Sequence, residues 1–489
     1  MRHHCIKLSV VTLAAVGCLS SAAFALENEF HGMLLIKGDF TNFDQAGGND
    51  TWKASTRDPK NILSQGDTGK SFFFTEQRAR LRYQATINED VKMITQFEID
   101  SRWGDTSQST ATTRNVGGAM EADQVNLETK NVYMEFKVPY LPTKAQAGII
   151  PFDDAYKGIF LSSDIAGLMT TTRLDKTTIR AGWLRGYDNR NFNGADSTIS
   201  PVNPASDSKG TSGFVPGRYS LDLGILEARY EVNKQLSVGG SYYLTYDNLT
   251  PGSGYNILNT LGASAAYNFG PGVVDGFVLF QTGDNPTNNF GQLGQKVTAF
   301  AANVGGKVKA GPGTARANFL YASGDNGKGS EHAFQGVNQL GDGSTTSTFS
   351  AAQMTMLITN TKYAANTDRA IINTVSNYDQ GVIGAFLGYD VDIDRAFVKG
   401  NLGFAAAARE NQTFKPKNQR TGTWSNSNYL GSEVNAEIGY KISDNLTASL
   451  VGGYLVLGDY WKDTAKTADG VIKTPDNPWK TQAVLKLVF

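Results

Sequence analysis

Charged side chains recur at every second position along short stretches of this chain, and that spacing is where any chemistry must start. Arg78, Arg80 and Arg82 share one face of a stretch whose other face is Ala79, Leu81 and Tyr83. Lys92, Glu98 and Asp100 follow the same rule a few residues later, and so do Glu135 and Lys137, Arg173, Arg180, Arg316, Lys399, Glu433 and Glu437. A period of two places such residues on one side of a strand and apolar residues on the other. Charges lined up this way shape a local field; they do not by themselves break bonds. Nucleophilic catalysis needs a nucleophile with a positioned base. Past the first residues only His31 and His332 are available as imidazole bases, far apart in the chain, and no G-x-S-x-G elbow or metal-spaced His pair occurs. No catalytic group, metal site or cofactor is expected. The run Asp390-Val391-Asp392-Ile393-Asp394 has clustered carboxylates of the kind calcium prefers, but it coincides with a tight turn and no closing Glu follows.

The elements that must position these charges are strands. Ala79 to Ile87 turns at Asn88-Glu89-Asp90 and returns with Val91, Met93, Phe97 and Ile99 on one face. Val132–Val138, Leu236–Tyr246, Val434–Tyr440 and Leu446–Val456 repeat the pattern. Tight turns are expected near Asn88, Pro142, Asp175, Asn233, Pro271, Pro312, Asp392 and Ser443. Longer Gly/Asn/Asp/Ser/Thr-rich loops lie between them, near 41–70, 104–124, 150–165, 188–218, 247–255, 283–295, 323–375, 409–428 and 458–479. Alternating short and long connections imply about 18 antiparallel strands, with 16 as the other even count. The stretches Ser220–Val232 and Ile257–Phe269 alternate imperfectly, and the pattern of 355–375 is ambiguous.

Composition agrees with an all-β chain. Of 489 residues 53 are Gly, aromatics make up 11% and charged residues only 19%. A helical bundle or a disordered chain would look different. The formal charge of -1 provides no basic excess for nucleic acid. Residues 1–25 read as a secretory signal: Arg2 and Lys7, the apolar run Leu8–Leu19, then Ala23-Phe24-Ala25. Ala15-Val16-Gly17-Cys18 is a looser match to a lipoprotein cleavage box. Removal of the signal leaves 43 basic against 46 acidic residues and takes away both cysteines, Cys5 and Cys18. Residues 26–489 are then a single domain. No later run has the ~18 apolar residues of a membrane-crossing helix, whereas a crossing strand needs only about ten, apolar on alternate positions.

The chain ends on Ala483, Leu485, Leu487 and terminal Phe489 along one face. With the signal and the short-turn, long-loop hairpins, this closing strand Lys480–Phe489 resembles the outer-membrane porins of Gram-negative bacteria. The resemblance implies a transmembrane antiparallel β-barrel with short periplasmic turns and long extracellular loops. It implies an outer-membrane location among lipid and lipopolysaccharide, a homotrimer, and Phe489 as the signal read by the barrel-assembly machinery. The function it implies is passive diffusion of small hydrophilic solutes and ions through a water-filled lumen. A structural barrel that docks or sheathes an electron-transfer partner is the alternative.

On the barrel reading the fourteen alternating charges face the lumen, because charge facing lipid costs about 2–4 kcal/mol at the bilayer midplane. Phe72, Phe73, Phe74, Trp103, Trp183, Tyr242 and Tyr460 are expected in the interfacial aromatic girdles. In porins the third long loop folds inward; here it is Pro151 to Asp164, and its Asp153, Asp154, Lys157 and Asp164 are constriction candidates opposite the arginines. The longest loop, 323–375, carries an apolar patch, Met354 to Ile358; capping the pore, contacting a neighbouring subunit, holding a short extra helix and, from its Gly/Ser/Thr content, plain mobility are the alternatives.

Overall fold

The alternation resolves into strands wherever it was regular. The computed structural model describes residues 27–43, 71–105, 118, 127–188, 217, 220–248, 255–284, 296–325, 332–337, 346–359, 370–410, 418–466 and 472–489; the signal segment 1–25 lies outside them. The strands are β1 (Glu27–Thr41), β2 (Phe72–Asn88), β3 (Val91–Arg102), β4 (Leu127–Lys137), β5 (Thr143–Asp153) and β6 (Ser162–Leu174). Next come β7 (Thr177–Asp188), β8 (Ser220–Glu231), β9 (Leu236–Asp247), β10 (Asn256–Asn268), β11 (Gly272–Asp284) and β12 (Lys296–Ala310). The rest are β13 (Gly313–Ala322), β14 (Val382–Ile393), β15 (Ala396–Ala406), β16 (Tyr429–Lys441), β17 (Leu446–Leu457), a two-residue loop ribbon of β18 (Ala465–Lys466) with β19 (Ile472–Lys473), and β20 (Trp479–Val488).

Apart from the ribbon, these form one 18-stranded sheet in which each strand pairs antiparallel with its sequence neighbours. The sheet closes where β20 pairs with both β17 and β1. A closed sheet has no unpaired edge, so every backbone polar group can be satisfied without water. Leu81, Val278, Phe319, Leu387, Val434 and Leu450 are exposed on its outside, where a soluble protein would not leave so many. No helix among the described residues is long enough to cross a membrane; the strands do the crossing.

The aromatic expectations split. Trp103, Trp183 and Tyr242 are exposed on the outside, as is Phe73. Phe72 and Phe74 share the inward parity of Arg78 and stack on each other at 6.0 Å, so they do not belong to a girdle. Tyr460 is also inside: it sits in a short 3-10 turn, 1% exposed, with its hydroxyl against Gln380.

The interior is not simply water. Parts of several loops enter it and build an apolar core with the wall. Loop residues Tyr156, Ile159, Phe160, Phe334, Phe349, Met354, Leu357 and Ile372 are buried against Leu184, Leu223, Ile225, Leu258, Leu279 and Leu320 of the barrel. This explains the imperfect alternation of β8 and β10. Their inward faces carry Leu221, Leu223, Ile225 and Leu258 because those positions meet packed loop, not solvent.

Candidate functional site: the lumen

The wall from β1 to β4 is polar and ion-paired. Arg78 grips Asp100 of β3 with two hydrogen bonds, 2.7 and 2.5 Å, and lies 3.3 Å from Glu98. Arg80 pairs with Glu98. These pairs follow from register, since Arg78 and Arg80 face Asp100 and Glu98 directly across the β2–β3 ladder. Arg82 has Gln96 opposite it, and among the described residues its guanidinium hydrogen-bonds only Gln84, at 3.4 Å. Lys92, also inward, forms no ion pair among the described residues. On β1, Lys37 is 1% exposed between Asp39 at 3.3 Å and Glu76 at 3.4 Å. The sequence reading missed this buried trio, although its members too lie on the alternating inward face.

The third long loop does fold inward, but its charges do not oppose the arginines. Asp154 accepts hydrogen bonds from the amides of Tyr156, Gly158, Phe160 and Leu161, at 2.7, 2.9, 2.6 and 2.8 Å. It is the organiser of its own turn. Burial pushes its carboxyl up to about 6, against the pull of those four amides. Lys157, at the tip, reaches the far wall: its Nζ lies 2.6 Å from Asp275 of β11, 2.7 Å from Asn303 of β12 and 3.2 Å from Asn318 of β13. Tyr156 bonds Ser241 of β9 at 2.6 Å, and burial raises its hydroxyl to about 12. Phe160 stacks on Tyr243. Asp153 ends β5 and binds Ser162, and Asp164 lies in β6 beside Asn131 and Lys130. Of the four candidates only Asp164 touches the arginine network, through Lys130, which also approaches Glu98 at 3.7 Å.

Glu433 is not a free lining charge either. At 0% exposure it accepts from the amides of Thr355, Met356 and Leu357 and from the Thr355 hydroxyl, 2.6 to 2.8 Å. The apolar patch Met354 to Ile358 is thus part of the lumenal core. A short 3-10 turn, Ser350–Ala352, precedes it.

The remaining candidates scatter along the barrel. Lys137 sits at the short-turn end, 2.9 Å from Asp90. Glu135 is held by Lys144 and Gln146. Arg173 is exposed near the same end. Arg180 pairs with Glu227 at 2.8 Å, whose other oxygen takes the Tyr243 hydroxyl. Arg316 binds Asp390 bidentately, at 2.8 and 2.7 Å, so the acidic run is committed to a wall pair and a turn. Lys399 lies over the Phe397 ring, and Glu437 is buried on β16 beside it. His31 lies by Glu29 on β1 and His332 by Thr298 on β12. No group of three or more His, Cys, Asp or Glu placed to hold a metal ion occurs among the described residues.

A closed barrel with an apolar exterior and a charged, loop-narrowed interior is a multi-pass β-barrel of the outer membrane. Two solved structures have this same fold. OccAB4 of Acinetobacter baumannii matches at 10% identity over 95% of this chain and 98% of that one, with a TM-score of 0.52. OpdL of Pseudomonas aeruginosa matches at 12% identity over 95% and 99%, with a TM-score of 0.50. At these identities the likeness is one of fold alone. No protein-family model and no curated protein matches the sequence.

Proposed function

We propose that the protein is a channel for passive diffusion of small hydrophilic solutes and ions, with a preference for anions, and that it catalyses no reaction. The observation that carries this reading is the division of the lumen. One sector of wall is packed against loop, while inward charges such as Arg80, Arg82 and Lys92 on β2 and β3 retain solvent exposure. The anion preference comes from which charges are spent. Asp100, Glu98, Glu227, Asp275 and Asp390 have cationic partners, and Asp154 and Glu433 are buried on loop amides. Arg82, Lys92 and Arg173 form no ion pair among the described residues. Uncompensated positive charge in a narrow lumen favours anions.

On this reading residues 1–25 are removed on export, the barrel sits among lipid and lipopolysaccharide, the barrel-assembly machinery inserts it, and the native form is a homotrimer, which native mass measurement reads. Purified protein in a planar bilayer should give stepwise conductance, and a salt gradient should give a reversal potential of anion-selective sign. Absence of steps from folded protein rejects the channel; a cation-selective sign rejects the charge argument.

A further inference from the structure

The long β13–β14 loop is held in the lumen by a receptor built into the wall. Glu433 on β16 is its centre. A carboxylate at 0% exposure normally needs a cation. Here it captures three successive amides, Thr355, Met356 and Leu357, together with the Thr355 hydroxyl. Asn435, two residues on and on the same inward face, donates to Glu433 at 2.8 Å and to the Gln353 carbonyl at 3.1 Å. The neighbouring strands make room. Gly403 of β15 stands directly across the ladder from Glu433, and a Cβ there would meet the Met354 sulfur at 2.3 Å. Gly453 of β17 stands across from Asn435, and a Cβ there would meet the Thr355 hydroxyl oxygen at 2.6 Å. Two side-chain-free dimples thus flank the carboxylate and receive Met354 and Thr355, where the captured stretch begins.

The held segment is also a unit. Met356 to Thr359 and Ala370 to Ile372 bond to each other through Ile371 N to Met356 O at 2.8 Å, Ile372 N to Leu357 O at 3.1 Å and Thr359 N to Ile372 O at 3.1 Å. Its internal hydrogen bonds do not depend on the wall. The rest of the loop is anchored elsewhere: Gln281 of β11 exchanges bonds with the backbone of Gln335 at 2.7 and 2.8 Å, Gln380 meets Tyr460, and Thr348 and Ser350 donate from their amides to the Gly158 and Lys157 carbonyls of the third long loop at 3.0 and 3.1 Å. The segment is also packed into the lumenal core, with Met354, Met356 and Leu357 at 0% exposure, so leaving the seat uncovers apolar surface while the strand pairing of the barrel stands.

We infer that Glu433 is a latch. The segment Met354–Ile358 seated on it holds the channel in a narrow state, and release of the seat gives a wider one. This rests on the channel reading above. The test is single-channel recording of the full-length barrel, comparing wild type, Glu433→Gln and the double variant Thr355→Cys/Gly453→Cys. No cysteine occurs beyond Cys18, so the engineered pair has no competitor in the barrel. The Gln side chain has one acceptor oxygen where the carboxylate has two, and it places an NH2 against backbone N–H groups. Loss of a charged hydrogen-bond set should shift the ratio of wide to narrow state about tenfold or more toward wide. The oxidised cysteine pair should abolish the wide level, and reductant should restore it. If Glu433→Gln does not fold, the cysteine pair alone decides. Steps whose levels ignore both the Glu433→Gln change and the redox state of the pair overturn the latch while leaving the channel standing. No steps in any folded variant would instead reject the channel reading itself.

Discussion

Arg78 and Arg82 occupy equivalent positions in the sequence pattern and have different surroundings. Asp100 is 3% exposed and doubly bonded to Arg78, so Arg78→Gln leaves a buried carboxylate unmatched. That change should lower barrel stability by about 3–5 kcal/mol, read as the urea midpoint in detergent. Arg82→Gln removes a cation with no carboxylate to strand. Stability should be nearly unchanged, and the anion-to-cation permeability ratio should fall about fourfold, since one charge about 10 Å from the ion path in water shifts anion and cation by about 0.4 kcal/mol each in opposite senses. Equal losses of stability in the two variants would sink this division. Alternation alone could place both arginines inside. It could not separate them, because the difference lies in whether Asp100 or Gln96 stands across the ladder, which is a matter of register. Asp154 was also legible as a loop acid but not as a turn organiser, since its partners are backbone amides that any sequence offers. Its carboxyl lies at about 6, above the usual 3.8, so the docked loop binds the proton more tightly than a released loop would. The contribution of that proton to docking is complete below pH ~4 and is lost as pH rises through about 6. Asp379, raised to about 6 by burial, acts in the same direction. Hydrogen-exchange protection of the Phe160 and Leu161 amides, corrected for intrinsic rate, should therefore fall between pH 4 and pH 6, and Asp154→Asn should flatten the dependence.

The elements most visible in sequence are the ones that face lipid on one side and water on the other. β2 and β3 alternate cleanly for that reason. β16 keeps its period under a loop because its covered face is the polar Glu433, Asn435 and Glu437. Where a strand backs onto apolar loop residues, both faces turn apolar and the period fades, as in β8. The loops that cause this have no period at all. Their apolar residues, Ile159, Phe160, Phe349 and Met354, are spaced to fit a cavity, not a repeat. Inward folding of the third loop was expected from the porin resemblance; the tether at its tip was not. Lys157 spans to Asp275, Asn303 and Asn318 on three successive strands. Lys157→Met keeps the aliphatic stem and cuts this tether, leaving the loop to its Asp154 turn and to Phe160 on Tyr243. The partly exposed contact should be worth about 1 kcal/mol. Open-channel current noise should rise and the occupancy of larger conductance levels should increase roughly fivefold, with heat-modifiable migration on gels unchanged. A quiet Lys157→Met channel would show that the loop is held elsewhere.

At the scale of the whole barrel, everything depends on joining the two ends of the chain. β1 pairs with β2 over its full length and with β20 from Met33–Val488 to Thr41–Lys480. Phe489 extends that seam: its carbonyl accepts from Gly32 N at 2.7 Å and its amide donates to Gly32 O at 3.0 Å. Its ring covers Gly32, where a Cβ would come within 2.3 Å of the ring carbon Cζ. The last residue and a glycine near the start of β1 therefore fit each other, and the sequence showed only one half of that fit, the terminal aromatic. Two roles can be separated because the backbone bonds survive changes of side chain. Phe489→Ala keeps both hydrogen bonds and removes the ring; Gly32→Val keeps the ring's identity and denies it its seat. If the ring matters chiefly for closing the seam, both variants should refold poorly into lipid vesicles from urea, by a similar factor. If it is chiefly a signal to the assembly machinery, Phe489→Ala should refold as wild type in vesicles yet insert poorly in cells, while Gly32→Val should fail in both. The tight packing of ring on glycine favours the first outcome, because an aromatic read only by a partner would have no reason to meet a position that excludes every side chain.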